Sequence, residues 1–211
     1  MRYQGNIDVI GGGGQKKLQK STVLIAGAGG LGGFVSVELA LMGIGEIILV
    51  DRDTVEDSNL NRQVLYRETD IGKKKIPVAV ERLKELNPYI EIVGIDDDIE
   101  NVDEEADVYI DCLDNWDGRH ALVKLAKKYG KPVVHGAVDS FKGQVGLFVS
   151  NHDWLLRIKG KNVRGNISPV VATIASLESS ICMNYLLGKL NEDFLILIDL
   201  EKYEFRKIRI K

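Results

Sequence analysis

The chain has 211 residues, of which 45% are hydrophobic and 28% are charged, and these are the values of an ordinary globular protein. Its 28 Lys and Arg residues against 31 Asp and Glu residues leave a net charge of −3, which argues against nucleic acid or an anionic membrane as the main partner. No apolar stretch approaches the roughly eighteen residues that span a bilayer, and the two cysteines, Cys112 and Cys182, belong to no CxxC pair. We therefore expect a cytoplasmic protein without a zinc site.

This length suits a single domain over residues 1–211. Within it we expect an N-terminal arm at 1–21, a nucleotide-binding core at 22–150, and a short crossover, a long helix and a terminal hairpin at 151–211. Four consecutive glycines at 11–14 predict a flexible hinge in the arm, and a helix with a solvated basic face begins after them at Gln15.

A glycine-dense turn follows the first apolar run of the core. The run 23–26 predicts a buried strand, and Gly27, Gly29, Gly30 and Gly32 follow it directly. Glycine lets the backbone turn tightly and approach a phosphate, and the helix N-terminus that follows attracts anions. A second apolar run, 47–50, ends in Asp51, where a carboxylate meets the ribose hydroxyls of a nucleotide in such a unit. The stretch predicts a nucleotide site.

Strand and helix patterns alternate along the rest of the core. Helices are predicted from the glycine turn to Gly43, over 72–86, over 117–129 and from Pro169 to Gly188, and strands over 90–95, 108–111, 132–135, 143–149, 194–200 and 203–210. The fold class is therefore α/β, a doubly wound, mostly parallel sheet of Rossmann type with an antiparallel C-terminal hairpin. The polar segment 52–71 is long for a βα connection, which favours a functional loop.

Two cations and a carboxylate are encoded near the glycine turn. Arg62 closes the segment after Asp51, Lys75 follows a short basic run, and Asp114 follows the strand at 108–111. An oxidoreductase has no need for an Arg and a Lys beside a carboxylate, whereas a nucleoside triphosphate needs cations on its phosphates.

These motifs together resemble a known family. The ordered patterns GxGGLG, D-x-D-x-V-E-x-S-N-L-N-R-Q, D-I-G-x-x-K and D-C-x-D-N are similar to those of the adenylating domain of E1-type enzymes, the group of MoeB, ThiF and the ubiquitin E1 enzymes. In that family the carboxyl end of a small β-grasp protein attacks the α-phosphate of ATP, which releases pyrophosphate and leaves an acyl-adenylate. The resemblance covers nearly the whole chain.

The resemblance implies a set of ATP-binding residues. Arg62 is the principal cation on the triphosphate, Lys75 is the second cation, and Asp114 lies where Mg²⁺ and the α-phosphate meet. The full set is Gly27, Gly29, Gly30, Asp51, Asp53, Ser58, Asn59, Arg62, Gln63, Lys75, Leu113, Asp114 and Asn115. The reaction needs no general base, because a carboxylate is already ionised at neutral pH.

Several residues carry weaker signals. Asp111 is equally well explained as a strand-end cap or as part of the site. Cys112 and Cys182 are expected to be structural, and Trp116 and Trp154 are expected to pack. The three histidines show no metal-ligand spacing.

The sequence departs from the family in ways that leave the substrate open. Many bacterial relatives carry two CxxC pairs that bind zinc, and this chain has neither; its crossover, 151–167, is short and holds no cysteine. One hypothesis is adenylation of the C-terminus of a sulfur-carrier or ubiquitin-like protein. A second is a small-molecule carboxylate, as with the enzyme that adenylates the guanylylpyridinol precursor of the iron hydrogenase cofactor. A third is a non-catalytic nucleotide-binding scaffold.

The family pairs as homodimers, and the resemblance therefore implies a homodimer. Relatives place an Arg near the N-terminus that reaches the partner's ATP site; the matching positions are near Gly5 and Asn6, and Arg2 is the candidate replacement. A face of small residues on the last helix is expected to pack on the partner: Ala172, Ala175, Ser176 and Ser179.

Overall fold

The computed structural model describes residues 2–158 and 165–210, and its strands and helices follow the apolar runs. The strands are β1 (Thr22–Ala26), β2 (Glu46–Val50), β3 (Glu91–Ile95), β4 (Val108–Asp111), β5 (Val133–Asp139), β6 (Lys142–Phe148), β7 (Phe194–Asp199) and β8 (Glu204–Arg209). The helices are α1 (Gln4–Leu18), α2 (Gly30–Met42), α3 (Lys75–Leu86), α4 (Trp116–Tyr129), α5 (His152–Leu155) and α6 (Ser168–Leu186).

The eight strands form one sheet in the order β3-β2-β1-β4-β5-β6-β7-β8. The five strands from β3 to β5 are parallel, and β6, β7 and β8 each run antiparallel to their neighbour. The strand order reverses between β1 and β4, and in open α/β sheets ligands bind in the crevice at that point. The predicted fold class is confirmed, including the antiparallel hairpin at the end.

Two apolar clusters cover the two faces of the sheet. One includes Ile25 and Ile110 under α2, α3 and α6, and the other includes Leu24 and Tyr109 under α4 and α5. Helices on both faces are the arrangement that parallel strands require, because neither face can be left in water. None of the helices in the described ranges is long and apolar enough to cross a membrane.

The hinge predicted at 11–14 corresponds to a kink at Gly11 between two helical segments, and the other three glycines are helical. Helix α1 runs through these glycines, and only Gly11, with φ 74° and ψ 161°, departs from helical geometry. Leu18 is fully buried, and a Cβ on Gly14 would lie 3.2 Å from the Leu187 side chain. Packing of this helix against the body of the protein therefore outweighs the poor helix propensity of glycine.

The proposed dimer face is also corrected in part. Ala175 and Ser179 are buried within their own chain, because α6 packs along α2. Ser176 is exposed and donates a hydrogen bond to Glu38 at 2.5 Å. Arg2 donates to the Leu86 carbonyl at 2.9 Å, and its role at a partner's ATP site stays a prediction. Ala175 and Ser179 therefore pack inside their own chain, and the contact of this face with a partner stays a prediction.

Smaller shifts occur at element ends. Helix α3 begins at Lys75, three residues after the predicted start, since Gly72 has φ 84° and turns the chain. Strand β5 continues four residues beyond its predicted end at His135, because β6 pairs with it along its whole length.

Candidate active site

The turn between β1 and α2 is built so that only glycine fits at two points. Gly27 has φ 97°, and a Cβ placed there would lie 2.7 Å from the Cys112 carbonyl oxygen. A Cβ on Gly32 would lie 1.7 Å from the carbonyl oxygen of Gly27. These approaches draw the end of β4 and the start of α2 tightly around the turn. The backbone N–H groups at the α2 N-terminus remain available to an anion.

Asp51 ties the end of β2 to this turn. Its Oδ2 accepts the Ala28 N–H at 2.7 Å, and its Oδ1 accepts the Asp53 N–H at 2.8 Å. Each oxygen keeps a second lone pair for a ribose hydroxyl. The carboxylate is therefore held in one orientation beside the glycines, as the nucleotide prediction requires.

Lys75 lies in the first turn of α3 and points at the same place. It is only 5% exposed, and its Nζ lies 2.9 Å from Asp53 Oδ2 and 3.7 Å from Asp51 Oδ2. Asp53 is far more exposed, so this pair can rearrange when a polyanion arrives. A nearly buried ammonium group next to the ribose carboxylate places a positive charge at the mouth of the crevice.

The loop after β2 folds into two 3₁₀ turns, Asp57–Asn59 and Glu68–Asp70. Asn59 is buried, and its Oδ1 accepts the Glu56 N–H at 3.1 Å. The hydroxyl of Ser58 lies 3.3 Å from Glu56 Oε2. Tyr66 donates to the Ala28 carbonyl at 2.7 Å, which fastens the loop to the glycine turn. Burial and the nearby carboxylates raise the pKa of Tyr66, so it stays a donor.

Arg62 extends from this loop over the glycine turn. Its Nη1 donates to the Ser58 carbonyl at 2.9 Å and to Asn61 Oδ1 at 2.8 Å, and a Cβ on Gly30 would lie 3.5 Å from its Cγ. Gln63 is buried beside Gly29, and within the described ranges its Oε1 has no hydrogen-bond partner. A buried polar atom without a partner is costly, which is consistent with a ligand completing it.

Asp114 and Asn115 stand between β4 and α4. Asn115 caps α4, since its Oδ1 accepts the Gly118 N–H at 2.8 Å. Asp114 is exposed, and its one hydrogen bond to a described residue is a long one of 3.4 Å from Asn115 Nδ2. The Leu113 carbonyl accepts a bond from Arg119 Nη2 at 2.9 Å. Asp114 therefore presents its carboxylate to solvent at the crevice.

A buried polar network lies beneath this loop, and Asp111 is its only member that the sequence patterns indicated. Asp111 is fully buried, and its Oδ2 accepts from Arg119 Nε at 2.6 Å and from His135 Nδ1 at 2.7 Å. Burial alone would raise the pKa of Asp111, but Arg119 and His135 outweigh it and hold that pKa below its usual value. The Nε2 of His135 in turn lies 2.9 Å from Gln144 Nε2. Asp111 is therefore part of an ion-pair network rather than a strand-end cap alone.

One signal in the sequence could have revealed part of this network. Asp111 and His135 close two successive predicted strands, and the carboxyl ends of parallel neighbours meet at the same edge of a sheet. Arg119 gave no comparable signal, because its contact depends on how α4 lies over the sheet.

Glu178 is a second buried group that the sequence did not reveal. It lies on α6 against Gly136, and its Oε1 is 3.8 Å from the Sγ of Cys112. Its Oε2 has no partner in the described part of the chain. Burial, and then the charge of Asp111, raise the pKa of Glu178 well above its ordinary value. Burial also raises the pKa of the Cys112 thiol, so this half-buried cysteine is a thiol rather than a reactive thiolate.

The remaining candidates are structural. Cys182 is fully buried in the apolar core, as predicted. Trp154 stacks on Phe148 with ring centroids 6.0 Å apart, and Trp116 lies under the Arg119 guanidinium at 4.8 Å. Over the described residues there is no group of three or more His, Cys, Asp and Glu side chains placed to hold a metal ion.

The two ends of the crossover are tied down at opposite edges of the sheet, and its end lies near the crevice. At its start the buried Asp193 accepts from the N–H groups of Ser150 and Asn151 at 3.1 and 3.2 Å. At its end Asn61 donates to the Asn166 carbonyl at 3.2 Å, and the Ser140 N–H donates to Gly165 at 2.9 Å. The segment that follows β6 thus returns to the same loop that carries Arg62.

The comparisons with known proteins agree with this geometry. A model of the ThiF family matches residues 3–211. Protein HesA of Nostoc sp. is 34% identical over 214 residues, which cover 93% of this chain and 83% of that protein. The sulfur carrier protein adenylyltransferase of Thermus thermophilus is 32% identical over 229 residues, which cover 96% and 83%.

Solved structures show the same architecture. E. coli MccB with ATP has a TM-score of 0.82 and 27% identity over 99% of this chain and 71% of that chain. PaaA has a TM-score of 0.85 over 99% and 72%, and at 24% identity it shows the shared fold alone. With the glycine turn, the Asp51 carboxylate and the surrounding cations in place, the chain belongs to the ThiF family and is an E1-like, ATP-dependent adenylyltransferase.

Proposed function

We propose that this chain adenylates the C-terminal carboxylate of a small sulfur-carrier or ubiquitin-like protein, with Arg62, Lys75 and Asp114 acting on the triphosphate. One observation carries the proposal: three separate loops meet at the glycine turn. Arg62 lies over Gly30, and Lys75 lies beside the carboxylate that Ala28 holds. Asp114 follows two residues after Cys112, whose carbonyl touches Gly27.

The proposed chemistry needs charge neutralisation and alignment. The substrate carboxylate attacks the α-phosphorus, the bond to the bridging oxygen of the β-phosphate breaks, and pyrophosphate leaves with that electron pair. Arg62 offers a planar fork to two phosphate oxygens, and Lys75 offers a point charge. Both stabilise the negative charge that grows on the leaving group. No residue has to remove a proton, since the attacking group is already an anion.

Asp114 fits the Mg²⁺ that accompanies ATP in this family. Mg²⁺ keeps several waters and is bound through one or two carboxylates plus substrate phosphates, so a single exposed carboxylate at the crevice is sufficient. When bound, the ion neutralises phosphate charge. Asp114 would hold it, while Asn115 remains the α4 cap and fixes the backbone that carries Asp114.

The relatives support a protein or peptide substrate over the alternatives. One relative is named for a sulfur carrier protein, and another, from Haloferax volcanii, is named SAMP-activating enzyme E1. The guanylylpyridinol precursor and other small carboxylates remain the second candidate class. A non-catalytic scaffold is disfavoured, because it has no reason to keep Arg62, Lys75 and Asp114 together.

The decisive experiment is ATP–pyrophosphate exchange. We expect wild-type protein to exchange with a carboxylate from a panel of diglycine-tailed proteins and small molecules. Arg62→Ala and Asp114→Ala should each lower the exchange rate by about 100-fold or more, the size of losing one charged contact in a preorganised site. The circular dichroism spectrum should stay unchanged, since both side chains are partly or fully exposed.

Matched control variants distinguish the loss of a site residue from the loss of a surface charge. Arg67→Ala and Asp117→Ala remove the same charges from exposed positions a few residues away and should keep near-normal exchange. Near-normal exchange in Arg62→Ala and Asp114→Ala as well would count decisively against the proposed roles.

We also propose a cytoplasmic homodimer. The two cysteines are unpaired, which suits a reducing compartment. The dimer is inferred from the family.

A further inference from the structure

The polar network at the sheet edge continues beyond Asp111 to a residue with a half-used side chain. Gln144 is the third residue of β6. It pairs with Ala137 near the end of β5 on one side and with Leu197 of β7 on the other. Its Nε2 lies 2.9 Å from His135 Nε2, and none of the described residues donates a hydrogen bond to its Oε1. Gln144 is half-buried, so this oxygen is not sealed away.

The network fixes which way the Gln144 amide points. His135 Nδ1 lies 2.7 Å from Asp111 Oδ2 and must donate its proton there, because a carboxylate only accepts. Arg119 already neutralises Asp111, and burial lowers the pKa of His135, so the ring is neutral. Its Nε2 is then an acceptor, and only the NH₂ group of Gln144 satisfies it. The carbonyl oxygen of Gln144 must therefore face away from His135.

Gln144 lies two strands away from β4, the strand that leads into the loop carrying Asp114. Along the edge where β4 and β5 end, this separation is on the order of 10 Å by strand spacing. An extended chain covers about 3.3 Å per residue, so that distance corresponds to about three residues. Ala137 on one side is small, and Leu197 on the other is 37% exposed, which leaves room for a backbone without a bulky side chain.

We propose that Gln144 is a specificity-determining residue that accepts a hydrogen bond from a substrate amide N–H about three residues before the reacting carboxylate, with His135 as its positioning residue. This inference rests on the proposed function and defines the substrate side of the same site. An outward carbonyl oxygen selects a donor, and the repeating donor of a peptide is its backbone N–H. A small carboxylate without an N–H at that distance gains nothing from this contact.

The test replaces one amide at a time. Hexapeptides of four alanines and two terminal glycines carry an ester in place of each of the last four peptide bonds in turn, and ATP–pyrophosphate exchange gives their kcat and KM. In wild-type protein one ester should raise the peptide KM about five- to tenfold with kcat unchanged, the size of one neutral hydrogen bond. Gln144→Met, which keeps the volume, should raise the KM of the all-amide peptide equally and abolish the difference at that ester alone. The KM for ATP should not change.

His135→Phe gives an independent readout. Without the acceptor nitrogen the Gln144 amide can rotate, and discrimination between amide and ester should fall at the same position while exchange persists. An ester-to-amide ratio that stays equal in wild type and Gln144→Met at all four positions overturns the inference but leaves adenylation intact. Exchange with small carboxylates but with no hexapeptide also overturns it. Exchange with no carboxylate at all overturns the proposed function itself.

Discussion

Glu178 is buried and forms no ion pair with a described residue, and this has a consequence for stability that depends on pH. An ordinary glutamate in the unfolded chain loses its proton near pH 4.3, whereas burial and the charge of Asp111 hold the pKa of Glu178 well above that value in the folded protein. The folded state therefore binds one more proton than the unfolded state between these two values. Its contribution to the free energy of unfolding is fully present below about pH 4 and is lost as the pH rises.

We expect Glu178→Gln to stabilise the protein at alkaline pH. The amide keeps the shape but needs no proton, so the free energy of unfolding at pH 8 should rise by about 1–2 kcal/mol, with little change at pH 4. Urea unfolding at several pH values measures this. A variant that loses stability equally at both pH values would show that the protonation of Glu178 is not linked to folding.

At the scale of elements, the glycine turn depends on the absence of two side chains. Gly32→Ala should lower the free energy of unfolding by about 2 kcal/mol and raise the KM for ATP about tenfold or more, because a Cβ would meet the Gly27 carbonyl oxygen at 1.7 Å. Thermal unfolding and exchange kinetics check both effects.

Gly13 in α1 offers the matched control. It is helical, and nothing lies within 4 Å of a Cβ placed there, so Gly13→Ala should instead stabilise the protein by about 0.5–1 kcal/mol. If Gly32→Ala kept the wild-type KM and stability, the close approach at the turn would have no functional weight.

Sequence patterns predicted most helices and strands, because the apolar spacing and turn residues that define them lie within a short stretch of chain. The apolar run 23–26 and the glycines after it were sufficient to place β1, the turn and the start of α2. The helical state of the glycines at 12–14 was not predicted, since the burial of Leu18 and the contacts of Gly14 come from distant parts of the chain. Propensity within a window of residues does not contain that information.

The residues of the candidate site also fall into those that sequence motifs predicted and those that they did not. Asp51, Arg62 and Asp114 stand in ordered motifs, and the structure brings their loops to one turn. The network of Arg119, His135 and Gln144 comes from three elements that meet only in the folded sheet. Short spacing rules therefore did not reveal it, apart from the shared strand ends of Asp111 and His135.

At the scale of the whole molecule we predict a homodimer. Sedimentation equilibrium should give twice the chain mass of 23.4 kDa. Within the stripe on α6, Ala175 is fully buried, whereas Ser176 and Ser179 line a groove. The groove between α1, α2 and α6, which Leu41 and Met183 line, is the part of this region that stays accessible. A stable monomer with full exchange activity would remove the dimer from the model of function.

Among the described strands, β3 and β8 are the two edge strands of the sheet. An unpaired margin exposes a row of backbone donors and acceptors, and such a row can recruit another polypeptide and begin fibre growth. Along β8, Arg206, Lys207 and Arg209 are exposed, so a second copy laid alongside would bring like charges together. Such charges on an edge strand are a device by which proteins disfavour edge-to-edge pairing between copies, and the terminal hairpin carries this device.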